Sequence, residues 1–349
     1  MDYSIIIPYH SNQSFLKACL KSLLFTVPHD VEIIVVMNNS NSNELGIKLN
    51  KKRIKIVTYN QDLGYSRAIN YGAEIAKGKY LIFCDSDTVY TNNWFANLTN
   101  FFQSNNKIGI VSSKLLNPET SRIIDFGMAL SKLNNAHPYM DQLLDFELVN
   151  KSKKVQMACS ANMLIEKKLF KVMGMHDENL VNFYQDNDLC LRLKDFNKEC
   201  WVVSNSIVYH RGSSSNLSRH SYRADIKGYY VAKNLSRMSI DLNIYYKESF
   251  KYFNQNFQKA NKYLLIDLST VGDREWYYDI IQSEFSIIDI YQFPVNDRDL
   301  DKIRLIDRLG FNILNTRIPL IYFVDRFIAL KENHLWRDLR VIKRDVIID

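Results

Sequence analysis

The sequence predicts an α/β fold in which a mostly parallel central sheet is flanked by helices. Three observations carry that expectation. Short apolar, β-branched runs recur at Ser4–Pro8, Val31–Met37, Lys55–Tyr59 and Tyr80–Cys84. They are too short for helices and have the near-continuous apolarity of strands buried on both faces. Segments with helical spacing lie between them, at Ser14–Phe25 and Ser66–Ala76, the second closed by Gly78. The residues just after the strands are polar: Tyr9-His10-Ser11, Asn38-Asn39-Ser40 and Asp85-Ser86-Asp87. A β-α-β-α alternation gives a parallel sheet, and ligands bind at the carboxyl ends of its strands.

Further along, Ile108–Ser112, Val155–Cys159 and Trp201–Tyr209 read as strands, and Leu189–Asp195 as a helix after an acidic cluster. From about 221 the character changes. Tyr222–Tyr246 reads as a long basic, aromatic helix, and Tyr263–Leu268, Ile287–Phe293 and Ile318–Phe323 as strands. The expected organisation is a domain over 1–220, with a donor half to about 110 and an acceptor half over 111–220. A C-terminal extension, helical or small α/β, follows over 221–349.

The 349 residues are 46% hydrophobic and 24% charged, which excludes a disordered chain. The net charge of +7 is spread rather than gathered into Lys/Arg blocks, so no nucleic-acid partner is expected. Five cysteines (Cys19, Cys84, Cys159, Cys190, Cys200) form no C-x-x-C pair, so free thiols are expected and a zinc site is not. No basic leader with a cleavage site precedes the first strand, and no apolar run reaches the roughly 18–20 residues that span a bilayer. A cytoplasmic location is expected, with peripheral contact at the inner face of the membrane left open. The stretch Phe323–Ile342 interleaves apolar and basic residues and suits either an anionic surface or the domain's own core.

Asp85-Ser86-Asp87 follows a buried strand, whereas the same spacing at Asp297-Arg298-Asp299 lies in a charged stretch and reads as surface. Two carboxylates beside a buried strand ionise together cheaply only with a cation, and a hard ion such as Mn2+ or Mg2+ suits oxygen ligands. A helix cap at Asp87 is the competing structural role.

Read in order, IIIP, VEIIVV with NNS, DLGYSRAINYG and AKGKYLIFCDSD resemble family 2 glycosyltransferases of the GT-A, Rossmann-like fold. ACSANMLIEKKLFKVMGMHDE, FYQDNDLCLRL and VYH continue the pattern, so the resemblance covers roughly residues 3–215. It implies inverting transfer from a nucleoside-diphosphate sugar, UDP- or dTDP-linked, to a hydroxyl of a glycan or lipid-linked acceptor in surface polysaccharide biosynthesis. It implies that Asp87 binds the metal directly and that Asp85 does so through water or holds the ribose. His210 falls where a further metal ligand is often found.

An inverting transfer needs a base on the face of the sugar opposite the diphosphate. The resemblance places it at Asp186, within Gln185-Asp186-Asn187-Asp188, where Gln185 stands for a customary acid. Asp188 is expected to cap the following helix.

The donor side is assigned Pro8, Tyr9, His10, Asn38, Asn39 and Ser86, with Asp62, Gly64 and Arg67 from DLGYSRAIN. Arg67 suits either a bidentate phosphate contact or a solvated helix surface. Met37 occupies the place of a customary base-reading Asp, so Asn38 is expected to serve through its amide oxygen. The acceptor side is assigned Trp94, as a sugar-stacking ring or a core aromatic, with Asn162, Gln185 and Asp188. Loops 113–150 and 213–222 are expected to set specificity. Two other functions compete: a degenerate sugar-nucleotide-binding or scaffold subunit, kept open by Met37 and Gln185, and a sugar-phosphate nucleotidyltransferase. The latter would need a Gly-rich basic loop where Tyr9–Gln13 stands.

Overall fold

The computed structural model describes residues 2–38, 53–59, 61–130, 135–140, 142, 144, 146–212, 223–241, 244, 245 and 248, and the backbone of four later strands. They divide into two compact units, Met1–Asp241 and Leu242–Asp349. The first unit therefore extends past the boundary expected at 220.

Its first half alternates as the apolar runs predict: β1 (Tyr3–Tyr9), α1 (Gln13–Thr26), β2 (Glu32–Asn38), β3 (Ile54–Tyr59), α2 (Gly64–Ile75) and β4 (Tyr80–Cys84). These four strands are parallel, in the spatial order β4-β1-β2-β3. Side chains alternate between the faces. Ile5, Ile7, Ile33 and Val35 pack with Leu16, Leu20 and Leu23 of α1 in one core. On the other face α2 comes so close that a Cβ at Gly72 would stand 2.4 Å from Ile6 Cγ2. Each aliphatic side chain removed from water contributes about 1.5–3 kcal/mol.

The chain then forms β5 (Thr88–Tyr90), α3 (Trp94–Gln103), β6 (Ile108–Leu116), β7 (Ile123–Asp125) and the short pair β8 (Ala129–Leu130) and β9 (Asn135–Ala136). It continues with β10 (Lys153–Val155), β11 (Asn162–Glu166), α4 (Lys167–Val172), α5 (Gln185–Arg192), β12 (Glu199–His210) and α6 (Arg223–Asn234). The sheet continues as β10-β12-β6-β11-β4, with β11 antiparallel to both neighbours. It is thus parallel through the first half and mixed beyond.

Several elements depart from the sequence expectation. The strand expected at Val155–Cys159 is β10, ending at Val155. The helix expected from Leu189 begins at Gln185, so the acidic cluster lies inside its first turn. The long helix expected to Tyr246 ends at Asn234. β6 runs to Leu116, so the first residues of the expected 113–150 loop are sheet.

In the second unit, β13 (Tyr263–Asp267), β14 (Ile287–Tyr291), β15 (Leu320–Phe323) and β16 (Val346–Ile348) form a parallel sheet in the order β14-β13-β15-β16. Residues 213–222, 297–299 and 324–342, which carry the Ser/Asn-rich loop, the second Asp-x-Asp spacing and the amphipathic stretch, lie outside the described residues. No helix among the described residues is long and apolar enough to cross a membrane. All five cysteines are free.

Candidate active site

The carboxyl ends of β1, β2 and β4 open onto a cleft of about 250 Å³. Pro8, Tyr9, His10 and Ser11 line it from β1, Asn38 from β2, and Asp85, Ser86 and Asp87 from β4. Asp186, Gln185 and His210 line it from elements far along the chain.

The topology explains how His210 reaches the acidic triplet. After Asp87 the chain turns into β5, which pairs antiparallel with the end of β12 and sets Thr88 opposite His210. His210 Nε2 then lies 3.3 Å from Asp85 Oδ2 and 3.2 Å from Asp87 Oδ1. Burial alone would lower the imidazole pKa. Hydrogen bonds to the two carboxylates and their charges outweigh it and raise the pKa from 6.5 to about 10. One ligand atom from each of the three residues falls within 4.8 Å of the others. Asp85 Oδ1 is buried without a hydrogen-bond partner. A buried orphan carboxylate oxygen beside a second carboxylate and an imidazole is a donor set that fits a hard divalent ion.

Asp186 occupies the second position of α5. Its Oδ2 accepts from Ser160 N at 3.3 Å and its Oδ1 from Asn187 N at 2.9 Å. Burial outweighs these bonds and raises its pKa from 3.8 to about 6. Gln185 beside it is buried, and its Oε1 has no partner. Burial, with the charge of Arg192, lowers the His176 pKa to about 3. This neutral ring donates from Nδ1 to the Gln185 carbonyl at 3.2 Å.

The DLGYSRAIN segment ties the two halves together. Gly64 has φ +70, and a Cβ there would stand 2.2 Å from Val181 Cγ1; glycine alone permits both the backbone conformation and the approach. Tyr65 N donates to Asn182 Oδ1 at 3.0 Å, and Ser66 Oγ to Leu180 O at 2.5 Å. Asp62 Oδ1 accepts from Gly64 N at 2.9 Å, while its Oδ2 lies 3.5 Å from His10 Nε2.

Four expectations are corrected. Trp94 is fully buried and donates from Nε1 to Thr26 Oγ1 at 2.9 Å, so it is a core aromatic and has no face for a sugar. Asn162 is fully buried; it accepts from Ser113 Oγ at 2.5 Å and belongs to the sheet interior. Asp188 does not cap a helix: it lies within α5, fully buried, paired with Arg192 and Lys233. Arg67 pairs with Glu178 at 3.0 Å on the surface and does not line the cleft.

Asn38 lines the cleft as expected of the donor side. Its Nδ2 donates to Asp62 Oδ1 and Gly64 O, and its Oδ1 accepts from Leu63 N. The amide therefore holds the donor loop and retains one acceptor lone pair. Asn39 lies outside the described residues. Tyr65, Cys159, Ser160, Asn182 and Gly212 also line the cleft. Tyr65 stands in DLGYSRAIN, Cys159 and Ser160 open ACSANMLIE, and Gly212 follows the VYH strand end, signals that the sequence offers; Asn182 lies in a loop without one.

A parallel sheet whose carboxyl edge gathers these groups is the scaffold of a GT-A transferase. Residues 4–174 match Glycosyl transferase family 2, and the chain carries a domain of that family. An uncharacterized glycosyltransferase of Rickettsia typhi is 26% identical over 189 residues, covering 53% of this chain and 56% of the relative. The poly(ribitol-phosphate) beta-glucosyltransferase of Bacillus spizizenii is 33% identical over 116 residues, covering 30% of this chain and 18% of that protein. The chain thus spans about half the length, or less, of these curated relatives. The crystal structure of GalNAc-T7 with UDP, GalNAc and Mn2+ shares the fold at a TM-score of 0.51 and 19% identity, covering 74% of this chain and 56% of the other.

Proposed function

We propose that the protein is an inverting, metal-dependent glycosyltransferase. It moves a sugar from a nucleoside diphosphate, UDP or dTDP, to a hydroxyl of a glycan or lipid-linked acceptor in surface polysaccharide biosynthesis. One observation carries this: a single cleft is lined both by Asp85, Asp87 and His210 and by the half-buried Asp186. The first group can hold a divalent ion, which when bound supplies positive charge to the diphosphate leaving group. Asp186, its pKa near the working pH, takes the proton of the acceptor hydroxyl. The hydroxyl oxygen bonds to the anomeric carbon as the bond to the diphosphate oxygen breaks. Pro8, Tyr9, His10 and Ser86 form the donor wall, and Gln185 offers its unpartnered amide oxygen on the acceptor wall.

The choice of nucleotide base follows from resemblance rather than from a contact. Met37 is wholly buried, and Asn38 retains one lone pair. Retention of both Asp87 and Asp186 in the cleft supports an active enzyme over a degenerate binding subunit. The test is nucleotide release from UDP-, dTDP- and GDP-sugars with Mn2+, with and without a glycan acceptor pool. Release from at least one donor that chelation abolishes is expected. No release from any donor, with nucleotide binding intact, would favour the non-catalytic role.

A further inference from the structure

Helix α6 begins after the residues that match the family, 4–174, yet its side chains grip both ends of the turn that carries Asp186. Tyr184, immediately before α5, has φ 64, a conformation that a tyrosine keeps only when its surroundings hold it. Its ring stacks on Tyr230 of α6 with centroids 4.7 Å apart and planes 10° apart. Two residues beyond Asp186, the Asp188 carboxylate is fully buried. Asn234 Nδ2 donates to its Oδ1 at 2.8 Å, and Lys233 Nζ lies 3.0 Å from the same oxygen. Lys233 Nζ also lies 2.5 Å from Asp177 Oδ2 in the segment leading to α5, and Tyr229 donates to that oxygen at 2.8 Å.

We infer that α6 is a positioning clamp for the base, with Lys233 and Asn234 as its working residues. The inference rests on Asp186 being the base. Only Gln185, Asp186 and Asn187 lie between the two held positions, so the clamp fixes the backbone from which the Asp186 carboxylate projects into the cleft. Asp188, without exposed surface, does not touch substrate; it is the handle that α6 holds. Removal of one partner leaves a buried charge incompletely compensated and loosens this turn. The metal ligands hang from β4 and β12 and are independent of it.

The test uses the intact chain with Lys233→Met, Asn234→Ala and Lys233→Arg, read by amide hydrogen exchange. Exchange over 185–192 should quicken about tenfold or more in the first two variants, while 80–90 and 199–210 keep their protection. Affinity for UDP with Mn2+ should stay within about twofold. Turnover of the donors above should fall about tenfold in kcat with donor KM unchanged, and Lys233→Arg should restore it. Unchanged protection over 185–192, or equal loss throughout the unit, would overturn the clamp. Should Asn234→Ala not fold, Lys233→Met, whose side chain is partly exposed, decides alone. A wrong base assignment gives a different pattern: Asp186→Asn turns over at the wild-type rate while Lys233→Met still loosens 185–192.

Discussion

At one wall of the cleft two carboxylates, Asp85 and Asp87, share the imidazole of His210 at 3.2–3.3 Å. At the other, Asp186 has two backbone N–H donors and, among the described residues, no cationic side chain against it. Both walls are half-buried or buried, yet they respond oppositely. In the first, charge pairing outweighs desolvation and holds the imidazole protonated; in the second, desolvation wins and moves a carboxyl towards neutrality. The contrast separates two chemical tasks. Fixed negative charge suits a cation, and a carboxylate poised near neutral pH suits proton transfer.

The largest expected effect tests the second wall. Asp186→Asn should lower transfer by about 10²–10⁴-fold, the usual contribution of a general base, while UDP binding with Mn2+ is unchanged in a calorimetric titration. Full turnover would dissolve the contrast. Asp87→Ala should weaken Mn2+-dependent UDP affinity by at least about 100-fold, more than the 10–100-fold of outer-shell changes. Retained affinity would make the first wall a mere ion cluster.

The pH dependence sharpens the comparison further. With Mn2+ saturating, kcat should fall about tenfold per unit below about pH 6, as Asp186 takes up its proton, and level off above. The smallest effect is on stability. Because the folded-state pKa of Asp186 is raised, its contribution is fully present below pH 3.8 and is lost as pH rises through about 6. At pH 7 the ionised carboxylate is therefore a cost, and Asp186→Asn should stabilise the fold by about 1–3 kcal/mol, measured by urea denaturation. A destabilised Asn variant would mean that the carboxylate is structurally satisfied and not poised.

The first half of the unit was readable because parallel strands buried on both faces appear as uninterrupted apolar runs ending in polar residues. Tyr80–Cys84 with Asp85-Ser86-Asp87 is the clearest instance. The second half resisted for physical reasons. β10 is Lys153-Lys154-Val155, an edge strand with two polar residues and no apolar run. α5 starts behind a tyrosine at positive φ, a cap with no composition signal. Burial misled at Asp188, Asn162 and Trp94, whose partners Lys233, Ser113 and Thr26 are fixed by tertiary packing and not by spacing. Arg67 was misplaced for the converse reason: an exposed ion pair with Glu178 leaves no pattern in either segment. The Asp186 position was legible through its family resemblance alone; its shifted pKa is a property of the closed fold.

The pairing of Thr88 with His210 has a consequence for how the protein comes into being. The histidine belongs to β12, which threads between β10 and β6 and is the final strand of its sheet in chain order. A nascent chain that has completed β4 and β5 carries both aspartates but not the histidine. Contacts so distant in sequence close slowly, after the local β-α-β units have formed. Formation of the full Asp85–Asp87–His210 triad is therefore a marker of a completed sheet, withheld from forms that lack its last strand.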